Sequence, residues 1–214
     1  MKITILCSSV DHPVHSVLLA WQARHCMQHD VEIVTAKDEL TTGDILFLIS
    51  CHDFIGKELR DRYKAALVIH ASDLPSGKGW SPLVWQVLEG QSNIIVTLLE
   101  AGDRIDSGDI WAQVSISLEG HELYDEINAK LFQAESDLME CALNNFATVI
   151  PRKQSTKGES VYLRRNPENS RIDPDCSIAE QFELLRVSDP ERYPAFFEYR
   201  GVEYMIKLEK KGKK

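Results

Sequence analysis

Asp44-Ile45-Leu46-Phe47-Leu48-Ile49 is an unbroken apolar run, and its reading decides the fold class of this chain. A strand without polar alternation is covered on both faces, as in parallel sheets sandwiched between helices. Upstream, Ile3 to Leu6 reads as another buried strand. His15 to His29 reads as a helix with Val14, Leu18, Trp21 and His25 at helical spacing, and Val31-Glu32-Ile33-Val34 as a short strand. Downstream, Ile55 to Ala66 reads as a charged helix, followed by a strand, Ala66-Leu67-Val68-Ile69, that ends at His70. This alternation predicts an α/β fold on a doubly wound, mostly parallel sheet flanked by helices. The first turn, Ser8-Ser9-Val10-Asp11, lacks the Gly-x-Gly-x-x-Gly pattern, which argues against a nicotinamide or flavin dinucleotide.

Two strand ends carry the candidate chemistry. His70 opens a Pro/Gly/Ser loop, Pro75-Ser76-Gly77-Lys78-Gly79, while Asp106 follows the run Ile94-Ile95-Val96-Thr97-Leu98-Leu99 and opens a Gly turn. In open α/β sheets the carboxyl ends of strands hold the ligands. A carboxylate beside an imidazole orients it and suits it to proton transfer near neutral pH.

The second half divides less evenly. Ser81 to Glu89 reads as a helix with Pro82 in its first turn, and Gly120 to Phe146 as one long helix with Leu123, Ile127, Leu131, Ala134, Leu138, Ala142 and Leu143 apolar. A polar stretch, Arg152 to Ser160, marks a boundary. The expected organisation is a catalytic domain over residues 1–150 and a small appendage over 151–214. That appendage contains a strand at Val161-Tyr162-Leu163, a helix from Ile178 to Arg186, and a hairpin pairing Ala195–Tyr199 with Glu203–Lys207 across Arg200-Gly201. The Lys-rich end, Lys210 to Lys214, reads as a solvated tail before an anionic-surface anchor.

Composition narrows the class. The 214 residues are 43% hydrophobic and 27% charged, enough apolar material for a substantial core. A net charge of −9 opposes a broad nucleic-acid footprint but leaves room for a local basic pocket. Five scattered cysteines without a Cys-x-x-Cys read as reduced thiols of a cytoplasmic protein. No apolar run approaches a membrane span, so no membrane partner is expected.

The run from His70-Ala71-Ser72-Asp73-Leu74-Pro75 through Gly79-Trp80-Ser81-Pro82 leads on to Leu88-Glu89-Gly90, Val96-Thr97 and Asp106-Ser107-Gly108-Asp109-Ile110. Together these resemble the formyltransferases that use 10-formyltetrahydrofolate, whose pattern is His-x-Ser-x-Leu-Pro, a Gly-containing loop, Gly-Val-Thr and Asp-x-Gly. The tail, Arg164-Arg165-Asn166-Pro167-Glu168-Asn169-Ser170-Arg171-Ile172-Asp173 with Leu185-Arg186 and Tyr193-Pro194-Ala195-Phe196, resembles the segment after the catalytic domain in the sugar N-formyltransferase branch. The Gly-Trp-Ser-Pro variant and the short length look most like its pseudaminic-acid-pathway members.

The resemblance implies a Rossmann-like core in which His70 and Asp106 are catalytic. It implies a folate held along Leu99 to Ile105, with Leu99, Ala101, Arg104 and Ile105 as contacts. Ser72, Lys78, Gly79 and Trp80 would border the acceptor, the 4-amino group of a nucleotide-linked, UDP-type 4-amino-4,6-dideoxy sugar. No metal is required, because the folate nitrogen is already a competent leaving group. Initiator-tRNA formylation, formyltetrahydrofolate hydrolysis and a catalytically weakened folate- or sugar-nucleotide-binding protein stand as alternatives. The acidic balance and the lack of a full RNA-binding domain after residue 150 argue against the tRNA reading.

One position departs from the family. It places Asn two residues before the catalytic His, where this chain has Val68. An amide there would donate to the tetrahedral oxyanion, and Val cannot. Ser72, Lys78 and the backbone N–H groups of residues 76–80 are candidate substitutes, as is protonated His70 alone.

Other features have plainer readings. His12-x-x-His15 and His25-x-x-x-His29 lack a third ligand and read as solvent-facing histidines. Cys51-His52 reads as a cleft-lining pair without covalent chemistry. Tyr193, Phe196, Phe197 and Tyr199 read as core more readily than as base-stacking groups. Asp173 and Arg186 read as a structural ion pair. The apolar hairpin makes a homodimer plausible.

Overall fold

In the computed structural model, which describes residues 1–212, the central layer is a six-stranded sheet. It is formed by β1 (Lys2–Leu6), β2 (Asp30–Val34), β3 (Gly43–Leu48), β4 (Tyr63–His70), β6 (Asn93–Glu100) and β7 (Ile110–Ser117), in the order β2-β1-β3-β4-β6-β7. The first four are parallel, whereas β6 runs antiparallel to both β4 and β7. Ile45, Leu46 and Phe47 of β3 are fully buried, because β3 lies inside the sheet with apolar layers on both faces. The α/β, mostly parallel architecture expected from that run is the one observed.

Helices α1 (His15–His25), α3 (Pro82–Leu88) and α4 (Tyr124–Asn145) cover the sheet, with Trp21, Leu18, Ile127, Leu138 and Val87 in one core against Ile3, Ile5 and Phe47. The start of α4 is set by two carboxylates. Glu122 accepts the N–H groups of Glu119 and Gly120, and Glu126 accepts that of Leu123 at 2.8 Å. Acidic side chains in the first turn also suit the positive end of the helix.

Several expected boundaries shift. The helix expected over Ile55 to Ala66 is reduced to α2 (Lys57–Arg60), since β4 begins at Tyr63. Its first residues pair with β3, Gly43 opposite Tyr63 and Leu48 opposite Val68, so sheet pairing overrides helical propensity there. Helix α1 stops at His25, four residues early, leaving room for β2. Strand β7 was not anticipated; most of its side chains are only half-buried, so it shows no continuous apolar signal.

The rest of the chain returns to the sheet's active end. Strand β8 (Val161–Tyr162) pairs with β5 (Lys78–Gly79), so residues just past the polar stretch are bonded to the loop after His70. Helix α5 (Phe182–Val187) is shorter than expected and buries Leu185, Arg186 and Val187. The hairpin β9 (Ala195–Tyr199) and β10 (Val202–Ile206) turns at Arg200-Gly201, both left-handed with φ of 54° and 76°, as a two-residue hairpin turn requires. Its register starts at Val202 opposite Tyr199, one residue before the expected Glu203.

The expected Asp173–Arg186 pair does not form. Arg186 Nε donates to Glu183 at 2.6 Å and its Nη1 to the Glu122 carbonyl, because helical spacing puts Glu183 one turn away. Tyr193 and Tyr199 are about half exposed rather than core, Tyr193 in the loop before β9 and Tyr199 at the turn end of the hairpin, beyond the Ala195 and Phe197 that pack with Ile172. All five cysteines are free thiols. Among the described residues, no helix is long and apolar enough to cross a membrane. Lys213 and Lys214 of the tail lie outside the described residues.

Candidate active site

The sheet's carboxyl edge brings the two candidate groups together. His70 ends β4, and its Nδ1 lies 3.5 Å from Asp106 Oδ1, with both side chains about 7% exposed. Nε2 is 2.8 Å from the Gly77 carbonyl, which can only accept, so Nε2 carries a hydrogen in this arrangement. The other Asp106 oxygen accepts the Gly79 N–H at 2.8 Å. One carboxylate thus ties the imidazole to the loop beyond it.

The loop carrying Asp106 is held by backbone demands. Asp106 sits in the left-handed region at φ 52°, and its carbonyl accepts from Gln154 Nε2 at 2.9 Å. At Gly108 a Cβ would lie 1.9 Å from the Glu100 carbonyl, so the Asp-x-Gly turn folds against the end of β6 only with glycine. Gly79, at φ 94°, faces the Tyr162 carbonyl at 2.5 Å from a would-be Cβ. That contact is the β5–β8 pairing itself.

Two cavities meet at this pair. The smaller, about 250 Å³, has Val68, Ala101, Arg104 and Ile105 in its wall, together with Leu48 and Asp106. The larger, about 550 Å³, has His12, Asn128, Glu135, Arg164, Arg165 and Arg192. His70, Gly79, Trp80, Cys51 and His52 border both. Burial raises the Cys51 thiol pKa, which makes it a poor nucleophile.

The larger cavity is electrostatically uneven. The Arg164 guanidinium lies over the Trp80 ring, 4.6 Å from its centre, and Arg165 over Trp85 at 5.9 Å. Arg165 is half-buried, which lowers its pKa, and among the described residues its Nε has no partner. Burial, with Arg192 adding to it, pushes His12 down to about 4. Glu135 moves the other way, raised to about 8 by burial.

Not every expected site residue reaches a cavity. Ala101, Arg104 and Ile105 line the smaller one, but Leu99 does not; it is fully buried against Leu74 and Ile110, covered by Val68, its partner on β4. Gly79 and Trp80 border both spaces, whereas Ser72 and Lys78 border neither. Lys78 Nζ turns to Glu159 at 3.2 Å, and the Ser72 hydroxyl is buried behind Gly77.

The candidate oxyanion donors are also accounted for. In the loop, Ser76 N–H donates to Asp73, Gly77 to Ser160 Oγ, Lys78 to the Ser160 carbonyl, Gly79 to Asp106 and Trp80 to the Tyr162 carbonyl. None of these five is left over. Val68 shares the face of β4 with His70, two residues away, and contributes only methyl groups. Of the donors considered from sequence, His70 borders both cavities with Nε2 on the Gly77 carbonyl, while Ser72 Oγ, behind Gly77, has no partner among the described residues.

The histidines expected to face solvent do not all do so. His25 packs on Trp21 and sits 2.6 Å from Glu140, and His12 is enclosed beside Phe132, because α4 closes over α1. His12, Glu135, Arg192 and Asn128 were missed as cavity residues. Glu135 carried a signal: a carboxylate within the apolar positions Leu131, Ala134 and Leu138 of a long helix.

The relatives agree with this geometry. Residues 6–143 match the formyl transferase family. Over 117 residues the chain is 30% identical to the methionyl-tRNA formyltransferase of Rickettsia prowazekii (strain Madrid E), covering 54% of this chain and 39% of that protein. The chain thus spans less than half the length of that curated relative. The methionyl-tRNA formyltransferase structure from Clostridium thermocellum superposes with a TM-score of 0.81 at 25% identity, covering 100% of this chain and 95% of that one. A sugar N-formyltransferase from a Shewanella species shares the fold, with a TM-score of 0.75 at 17% identity, covering 100% of this chain and 99% of the other. With the family match extending over more than half of its residues, and its two strand-end groups meeting at the carboxyl edge of the sheet, this chain belongs to the formyl transferase family.

Proposed function

We propose that this chain moves a formyl group from 10-formyltetrahydrofolate to the 4-amino group of a nucleotide-linked 4-amino-4,6-dideoxy sugar in the cytoplasm. The acceptor is UDP-linked and of the pseudaminic-acid type. The observation that carries this reading is the junction of two cavities at His70. The smaller takes the pterin end of the folate beside Ala101, Arg104 and Ile105. The larger takes the acceptor, with its diphosphate directed at Arg164 and Arg165 and its sugar beside Trp80. Paired arginines suit a diphosphate, and they stand out on a chain of net charge −9.

Chemistry then occurs between the cavities. The amine attacks the formyl carbon, giving a tetrahedral oxyanion, and the C–N10 bond breaks as the folate nitrogen takes up a proton. His70 exchanges its bond to the Gly77 carbonyl for one to that oxyanion. Asp106 orients the ring and stabilises its cationic form. The apolar side chains the hairpin leaves exposed, Val202 and Tyr204 on one face and Met205 on the other, are the contact we assign to a homodimer, to be checked by sedimentation.

Formyl transfer to a panel of amino-sugar nucleotides, with methionyl-tRNA and water as competing acceptors, tests the reading. Sugar formylation that falls about 100-fold or more in His70→Ala supports it. The likeness to the Rickettsia and Clostridium proteins favours a second reading, tRNA formylation, which efficient transfer to methionyl-tRNA alone would establish. Formate release without any acceptor points to a hydrolase. Folate binding without turnover, unchanged in His70→Ala, points to a binding protein.

A further inference from the structure

Glu135 is a carboxyl group whose role the family pattern leaves open. It projects from the middle of α4 into the larger cavity, the one bordered by His70, and is 93% buried by accessible area (7% exposed). Among the described residues, its Oε2 has no hydrogen-bond partner. A buried carboxyl with an open acceptor site is costly unless something else satisfies it. The apolar neighbours Leu131 and Phe132 line the same wall and cannot do so.

We propose that Glu135 receives the proton of the acceptor's ammonium group, so that the amine enters the reaction as a free nucleophile. This rests on the amine-acceptor reading above. Before the acceptor binds, the carboxyl is protonated at pH 7. It gives that proton to solvent as the acceptor binds as R–NH3⁺, and the resulting carboxylate then takes one proton from the ammonium. The neutral amine then attacks the formyl carbon, forming the new N–C bond, while the C–N10 bond breaks and N10 is protonated by the proton the attacking nitrogen sheds. Glu135 ends the turnover protonated, as it began, and the proton given to solvent is the one lost on binding. Each turnover therefore yields the formamide, tetrahydrofolate and one proton. His70 stays with the oxyanion, and the two proton tasks fall to two groups.

The surroundings are consistent with this division. The titratable or charged groups facing the cavity are His12, His52 and His70, Cys51, the Asp189–Arg192 pair and the two arginines 164 and 165, with Tyr124 and Tyr193 at its edge and Cys7 behind Glu135. His12 is held neutral at pH 7, with a pKa of about 4, and Arg192 is paired. Burial alone raises Glu135 to about 8, which suits exchange with an aliphatic amine.

The test compares the pH profiles of wild type and Glu135→Gln for formyl transfer to whichever amine acceptor the panel identifies. Wild type should show a bell, because one proton is shared between carboxyl and amine. Glu135→Gln should lose roughly 100-fold in kcat/KM near pH 7. Its profile should rise with the fraction of free amine, without the alkaline fall. Binding of 5-formyltetrahydrofolate in the other cavity should be unchanged. Activity within twofold of wild type, or a uniform loss with the bell intact, overturns the proposal. Should Glu135→Gln fail to fold, calorimetry on the wild type decides. With 5-formyltetrahydrofolate bound, acceptor binding near pH 7 in buffers of different ionisation enthalpy should release close to one proton, and none released overturns the proposal. Transfer to no amine at all, with formate released to water, overturns the amine-acceptor reading and this inference with it.

Discussion

At the residue scale, Val68 sets the character of the site. It occupies the strand position that faces the reacting centre beside His70, yet it packs with Leu74, Leu99 and Ile110. In the proposed reaction the loop N–H groups keep their partners, and the oxyanion takes the His70 Nε2 hydrogen in place of the Gly77 carbonyl. Val68→Asn should therefore raise kcat about tenfold or more, toward the value of a site with a dedicated donor. Burying an amide among these apolar neighbours should cost about 1–3 kcal/mol of stability, read as a lower denaturant midpoint. A variant with unchanged or lower kcat and intact folate binding would contradict that account. The His70–Asp106 pairing was legible from two strand ends; the enclosure of Lys78 by Glu159 was not, since sequence does not say which way a side chain leaves a two-residue strand.

Among the elements, the Asp106 turn and α4 carry most of the consequence. Gly108→Ala places a methyl group against the Glu100 carbonyl and must displace the turn that holds Asp106. Its kcat should fall at least 100-fold, more than the loss of stability explains, with thermal melting and turnover measured side by side. Helix α4 carries a carboxyl whose folded pKa of about 8 lies above an unfolded value of about 4.3. Between those values the folded chain keeps a proton that the unfolded chain has released. Stability from this group is present in full below about pH 4 and is lost as pH rises toward 8. Glu135→Gln should flatten that slope, raising Tm at pH 8 relative to wild type, in melts taken across this range. His12, lowered to about 4, acts in the opposite sense and weakens the fold as pH falls from about 6.5 toward 4.

For the whole molecule, charge and connectivity limit the partner. At −9, the chain has no general attraction for a polyanion, although three of its arginines, Arg164, Arg165 and Arg192, line one cavity. Binding to tRNA at about 150 mM salt should be undetectable by filter retention, while binding of a UDP-linked sugar should survive, weakened two- to threefold at most. Tight tRNA retention under those conditions would favour the tRNA reading. Lys210, just past the hairpin, pairs with Glu126 of α4, and within the appendage the Ile172 N–H donates to the Phe196 carbonyl at 2.7 Å. The hairpin also packs through Ala195 on Ile172 and Leu185.

The sequence by itself determined the covered parallel sheet, the long helix, the hairpin turn and the two strand-end groups. Each is encoded locally, in an apolar run, a helical period, a left-handed dipeptide or a motif at a strand end. Only the tertiary structure decided that residues 63–66 join the sheet rather than a helix, that residues 161–162 return to brace the loop after His70, and that Glu135 lines the larger cavity. Those outcomes depend on long-range pairing and burial, where the free energy of a residue belongs to its neighbours in space and its neighbours in the chain carry little record of it.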